Sequence, residues 1–165
     1  MKIKISKILK LKIIEIGSFK DKRGVFIESF DAKKYYNNLG INFIEDDFCI
    51  NKKNVFRGIH GDKKTWKLIS CIHGKIDSYV IDCNEKSKTF GLHERFSLSP
   101  QNYYQILIPP MYGNAYYIKE ANSIYHYKQN RKYSGSTNQF TYKWYDTKIK
   151  LNLRNKKLII SERDR

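Results

Sequence analysis

The sequence predicts an all-β domain of sandwich or barrel type with one or two short helices. Three observations carry that expectation. Short apolar-rich runs recur along the chain, punctuated by Asn, Asp, Gly, Ser and Pro, the pattern of strands joined by turns. Aromatic residues make up 15%, with 13 Tyr and 9 Phe, side chains that pleated faces accommodate well. Strands and helices do not alternate, so neither a parallel sheet nor a dinucleotide crevice at its edge is expected.

Along residues 2–16 apolar and polar positions alternate through Ile3, Ile5 and Ile8, then Leu9, Leu11 and Ile13, which argues strand with a slip near Ser6. In FKDKRGVFIESF, Lys22-Arg23-Gly24 reads as a turn, and Val25 to Phe30 resumes as strand. Residues 31–39, DAKKYYNNL, are the best helix candidate, with Asp31 as N-cap and Gly40 as C-terminal stop. From Phe43 onward INFIEDDFCI, NVFRGIHG, WKLISCIHG, KIDSYVIDCN, FGLHERFSLS and YYQILIPP read as strands. The tail YKWYDTKIKLNLRNKKLIISERDR reads as further short strands or a loose extension.

At 165 residues the chain suits one domain, 1–165, with one core, and no repeat or linker divides it. The 32 Lys and Arg against 16 Asp and Glu give a net charge of +16. A nucleic-acid footprint, a polyanionic ligand such as a nucleotide diphosphate, and a solvated lysine-rich surface all compete to explain it. The lysines are spread along the chain at polar positions, which disfavours nucleic acid. Cys49, Cys71 and Cys83 form no CxxC pair, and buried free thiols in a reducing cytosol are expected. The basic start MKIKISKILKLK lacks the uninterrupted apolar run of a secretory signal, and no stretch approaches the ~20 apolar residues of a membrane span. A soluble, cytoplasmic protein is the expectation.

His60, flanked by Gly58 and Gly61 and following Arg57, is the histidine best placed for ligand chemistry. By strict alternation Arg57 and His60 would face opposite sides of a strand unless a bulge intervenes. A lone histidine of this kind is more often structural than functional. No second histidine follows at metal-ligand spacing, so no metal site is expected. Lys67, Tyr127 with Lys128, and the terminal Ser161-Glu162-Arg163-Asp164 each have a bland reading when taken alone.

In order, however, KDKRGVFIESF, KNVFRGIH, WKLISCIHGKIDSYVIDCN with KTFG, SLSPQNYYQILIPPMYGNAYY, YHYK and WYD resemble the motifs of the dTDP-4-dehydrorhamnose 3,5-epimerase family over nearly the whole chain. The resemblance implies a cupin, or jelly-roll, β-barrel that forms a homodimer with strand exchange at the N-terminus and needs no cofactor. It implies His60 as catalytic base, Asp164 as its paired carboxylate, Lys67 facing the keto oxygen, and Tyr127 as acid on the opposite ring face. It also implies substrate contacts from Arg23, Phe26, Glu28, Arg57 and Tyr133. The sequence departs from the family where Glu45 stands for a glutamine and Asn114 for a substrate-binding histidine. Ser78, with Asp77 one place earlier, stands at a strand aspartate, and the loop from His60 to Lys67 is short. That loop, RGIHGDKKTWKL, resembles the branch acting on GDP-linked 4-keto-6-deoxy-heptoses in capsule synthesis. A nucleotide-diphosphate sugar is thus the implied ligand and epimerisation at C3, C5 or both the implied reaction. A ketoisomerase of the same fold, or a cupin that binds without turnover, is the alternative.

Overall fold

The computed structural model describes residues 1–149, 151, 153 and 157–165. Two antiparallel sheets face one another. The larger has the order β1 (Lys2–Ile5), β2 (Lys12–Glu15), β10 (Tyr104–Ile108), β7 (Lys67–His73), β12 (Ser123–Gln129), β5 (Glu45–Asn51). The smaller has the order β13 (Phe140–Thr141), β6 (Phe56–Gly61), β11 (Tyr112–Ile118), β8 (Ile76–Asp82), β9 (His93–Leu98). β3 (Ser18–Asp21) and β4 (Gly24–Ile27) pair only with each other, as a hairpin outside both sheets.

The expected slip near Ser6 is a full break between β1 and β2. The amides of Lys7, Ile8 and Leu9 leave the ladder and donate to the Glu94 carboxylate, which also accepts from Ser6 Oγ at 2.7 Å. Those bonds satisfy backbone donors that would otherwise require a strand partner. The second strand of the hairpin stops at Ile27, short of the expected Phe30, where it pairs with Ser18, the first residue of its partner strand. The expected helix is α1 (Ala32–Leu39): Asp31 accepts from the Lys34 amide at 2.9 Å, and Gly40 ends it at φ 70°. Within the C-terminal tail, residues 150, 152 and 154–156 lie outside the described residues. Phe140–Thr141 is the short strand β13, and Glu162–Asp164 forms a 3-10 turn.

The core lies between the sheets, where Ile69, Ile76, Val80, Leu98, Ile106 and Ile118 are fully buried. Truncating one of these to Ala removes transfer energy and leaves a void, at a cost of about 2–5 kcal/mol. Each sheet is also covered outside. Tyr35 of α1 closes over Ile14, Leu68 and Leu107 of the larger sheet, its hydroxyl donating to Gln105 Oε1 at 2.5 Å. Ile149, Leu151 and Leu153 cover Tyr79 and Ile81 of the smaller one. β8 is therefore buried along its whole length, side chains on both faces included.

Candidate active site

β6 delivers Arg57 and His60 to the same side. Across from it, Asn114 pairs with His60 but Tyr116 pairs with Arg57, so β6 carries one residue more than β11 between these pairs. That irregularity resets the alternation, as a bulge does. Gly58 belongs at the spot: its φ is 115°, and an added Cβ would stand 2.5 Å from the Asn114 carbonyl oxygen.

The C-terminal segment docks beside β6. Val55 and Ile159 form a parallel bridge, the Phe56 amide donates to the Ile159 carbonyl, and the Ile159 amide donates to that of Asn54, both at 2.9 Å. The 3-10 turn then carries Asp164 inward until its Oδ1 stands 2.7 Å from His60 Nε2, while Oδ2 accepts from the Gly58 amide at 3.4 Å. Burial pushes the Asp164 carboxyl up. The hydrogen bond and charge of His60, with help from Ser161 and Gly58, outweigh that and hold it below the usual carboxylate value. The carboxylate is thus ionised near neutral pH and fixes the orientation of the imidazole.

His60 and Asp164 open onto a cavity of about 570 Å³ lined from both sheets. Arg57, Lys67, Asn114, Tyr127 and Tyr133 line it too. Burial lowers the Lys67 ammonium pKa, Asp62 raises it in part, and Arg163 lowers it further. Burial raises the Tyr127 phenol to about 12, with the charges of Asp47 and Glu45 adding to the effect. Tyr127 is therefore a protonated donor across the neutral range. Asn114 Nδ2 donates to the Tyr125 hydroxyl at 2.8 Å, and Tyr125 stacks on Tyr116 with centroids 4.0 Å apart. These rings form the cavity floor.

Of the residues singled out by sequence, the cavity gathers His60, Asp164, Lys67, Tyr127, Arg57, Asn114 and Tyr133. Glu45 is not on its lining. Its carboxylate accepts from Gln129 Nε2 and from the Tyr133 amide, bracing that wall from behind. Arg23, Phe26 and Glu28 are elsewhere: Arg23 and Phe26 are exposed on the hairpin, and Glu28 pairs with Lys34 on α1. Cys71 and Cys83 are buried with their thiols raised to about 12 by burial, whereas Cys49 lies half-buried on the cavity wall. Sequence reasoning passed over Arg163, which lines the cavity and donates to Gln139 Oε1 at 3.1 Å and Thr141 Oγ1 at 2.9 Å. Its adjacency to Asp164 was the available signal. Among the described residues no group of three or more His, Cys, Asp or Glu could hold a metal ion, and no helix is long and apolar enough to cross a membrane.

Two facing antiparallel sheets around a cavity lined by an imidazole–carboxylate pair, an ammonium and a phenol describe an enzyme of the cupin, or jelly-roll, class. The chain belongs to the dTDP-4-dehydrorhamnose 3,5-epimerase family, whose model matches residues 6–165. It is similar to the dTDP-4-dehydrorhamnose 3,5-epimerase of Salmonella typhimurium, at 31% identity over 130 residues, 76% of this chain and 71% of the relative. The Shigella flexneri enzyme of the same name is 28% identical over 157 residues, 92% of this chain and 86% of the relative. Among solved structures, the dTDP-6-deoxy-D-glucose-3,5-epimerase of Legionella pneumophila in complex with dTDP-4-keto-L-rhamnose superposes with a TM-score of 0.90 at 30% identity, covering 99% of this chain and 89% of the other. The dTDP-4-dehydrorhamnose 3,5-epimerase of Bacillus anthracis, with TDP and PPi bound, gives 0.88 at 26% identity over 99% and 97%.

Proposed function

We propose that this protein inverts C3, C5 or both in a nucleotide-linked 4-keto-6-deoxy sugar, as a cytoplasmic homodimer serving capsular polysaccharide synthesis. The observation that carries the reading is the His60–Asp164 pair, 2.7 Å apart, opening onto the cavity that Lys67 and Tyr127 also line.

A carbon beside a ketone gives up its proton because the resulting anion is an enolate. His60, held through Nε2 by Asp164, takes that proton on its other ring nitrogen, and Asp164 stabilises the imidazolium. The Lys67 ammonium balances the charge that develops on O4, where a fixed cation in a secluded site does most. Tyr127 returns a proton to carbon from the opposite face. Base and acid on opposed faces invert the centre, whereas one shared group would only exchange its proton.

A GDP-linked heptose is the substrate favoured by the short loop before Lys67, and Asn114 on the cavity lining in place of a histidine favours a sugar other than the rhamnose precursor; a dTDP-linked hexose is the competing choice. The homodimer is supported by apolar surface left open on one chain. Phe19 and Phe26 are 71% and 67% exposed on the hairpin, and Phe48 and Ile50 are 62% and 64% exposed on the outer face of β5. An isolated two-stranded hairpin is marginal in water. A partner that receives it would bring Arg23, Phe26 and Glu28 to the neighbouring cavity.

The test is incubation with GDP- and dTDP-4-keto-6-deoxy sugars in deuterated water, followed by mass. A gain of one deuterium marks one centre and two mark both. No gain with either nucleotide leaves a binding protein and removes the proposal.

A further inference from the structure

A phenol that has given its proton to carbon stays a phenolate until another proton reaches it. With a sugar ring against the cavity side of Tyr127, that proton has to come along the wall. The strand beside β12 is β5, the edge strand of the larger sheet. Tyr127 is the direct cross-strand partner of Asp47, as Gln129 is of Glu45 and Tyr125 of Cys49. Positions two apart share a face, and Tyr125, Tyr127, Gln129 and Cys49 all line the cavity. Glu45 and Asp47 therefore lie in the same inward row, and the Cβ atoms of Asp47 and Tyr127 stand about 4.5–5.5 Å apart, as direct partners do. Asp47 is half-buried, between the phenol and the open edge of the sheet.

The three carboxyls of this strand are held differently. Asp46 belongs to the outer face, where it pairs with His126 Nε2 at 2.6 Å and with Lys128 Nζ. Glu45 is an acceptor twice over, from Gln129 Nε2 and the Tyr133 amide, both at 2.9 Å. Among the described residues no cation pairs with Asp47. Burial, the Glu45 charge, a hydrogen bond with Glu45 and the Asp46 charge push its carboxyl up, and the His126 charge offsets this only in part. Glu45 thus draws a proton onto Asp47. Across the ladder, the charge of Asp47 in turn helps raise the Tyr127 phenol to about 12. A phenolate of that basicity is far stronger as a base than a carboxylate, so a proton on Asp47 runs downhill to it.

We propose that Asp47 is a positioning residue that resets Tyr127, passing a proton to its phenolate and taking a new one from water at the edge of the sheet. The assignment rests on the proposed epimerase reading and extends it. In the acid step the Tyr127 O–H bond breaks and a C–H bond forms on the sugar. The Asp47 O–H bond then breaks as the Tyr127 O–H bond re-forms, which leaves Asp47 a carboxylate beside Glu45. Repulsion between those two charges drives Asp47 to take up a proton from water. His60 releases its abstracted proton to solvent, so each cycle balances. Reset matters most where both C3 and C5 invert, because Tyr127 must then donate twice to one bound sugar.

The experiment compares the full-length parent with Asp47→Asn and Asp47→Glu on a 4-keto-6-deoxy sugar nucleotide in deuterated water. Product stereochemistry and deuterium uptake are followed in a single turnover and in the steady state, with and without added sodium formate. In Asp47→Asn the first inversion of a single turnover should stay within about twofold of the parent. Its steady-state kcat should fall about tenfold or more at a KM within about twofold. Formic acid small enough to reach the phenolate should restore part of that kcat and leave the parent unchanged, and Asp47→Glu should retain most of the activity. Steady-state kcat within about twofold of the parent in Asp47→Asn would overturn the proposal. So would an equal loss in the first inversion that formate does not relieve, the mark of a merely structural role. Asp47→Ser gives the same reading should the amide disturb the sheet. A parent that takes up no deuterium removes the epimerase reading itself, whereas a parent that inverts beside an unimpaired Asp47→Asn removes only this inference.

Discussion

The His60 cavity and the β3–β4 hairpin differ most in how their polar groups are held. In the cavity, Asp164 is 1% exposed and is fixed by His60, the Gly58 amide and a docked C-terminal segment. On the hairpin, the Arg23 side chain is 84% exposed and, among the described residues, pairs with Asp21 alone, two residues away. A buried pair at 2.7 Å is preorganised, so its members act without first paying to become ordered. An exposed pair contributes little and leaves its aromatic neighbours Phe19 and Phe26 in water. The difference teaches that the imidazole–carboxylate half of the proposed machinery is finished within a single chain, whereas the hairpin residues do not reach the cavity of their own chain.

The largest effect expected is at the finished half. His60→Asn should reduce turnover by about 10³-fold or more and stop deuterium exchange at the epimerised carbons. Exchange at the parent rate would remove His60 as base. Tyr127→Phe should cut net inversion by about 10²-fold while leaving some exchange, read by comparing deuterium uptake with product stereochemistry. Unimpaired inversion would exclude the phenol.

The hairpin gives the next effect. If each hairpin serves the partner's cavity, Arg23→Ala and His60→Asn should each be crippled alone. Refolded together, they should recover about a quarter of parent activity, since half the dimers are mixed and each mixed dimer has one intact site. Absence of recovery would place Arg23 in its own chain's site or in none.

A smaller effect concerns pH. The ammonium of Lys67 is needed charged, and burial lowers its pKa from the ordinary 10.5. Activity should therefore fall, as pH rises, at values below 10.5, before the Tyr127 phenol ionises near 12. Lys67→Arg should move that limb upward in a pH–rate profile. A limb that does not move would assign it to another group. The smallest expected change is Asp31→Ala, which unties one amide of α1 beside the hairpin and should cost about 1 kcal/mol in denaturant unfolding, with kcat unchanged.

Legibility varied by residue for physical reasons. Asp31 and Gly40 bound α1 as read, because caps act over three or four residues of chain. The strand runs from Phe43 to Ile108 were visible because short apolar-rich stretches end at the turn formers Asn, Asp, Gly, Ser and Pro. The face occupied by Arg57 could not be read, since it depends on the register of β6 against β11, a pairing with a distant segment. Glu45 was read as a substrate contact, but its carboxylate braces Gln129 and the Tyr133 amide from outside the cavity lining. Arg163 was missed because its role comes from the fold-back of the terminus.

The sequence alone determined an all-β chain, a helix with its two caps, and a set of motifs spaced like one enzyme family's. These follow from local chemistry and periodic burial, which neighbouring residues encode together. Only the tertiary structure decided the geometry by which Asp164, matched to His60 through the family resemblance, reaches it at 2.7 Å, and that the hairpin stands clear of its own cavity. Those outcomes depend on which distant surfaces pack against each other, and no local rule of spacing carries that information.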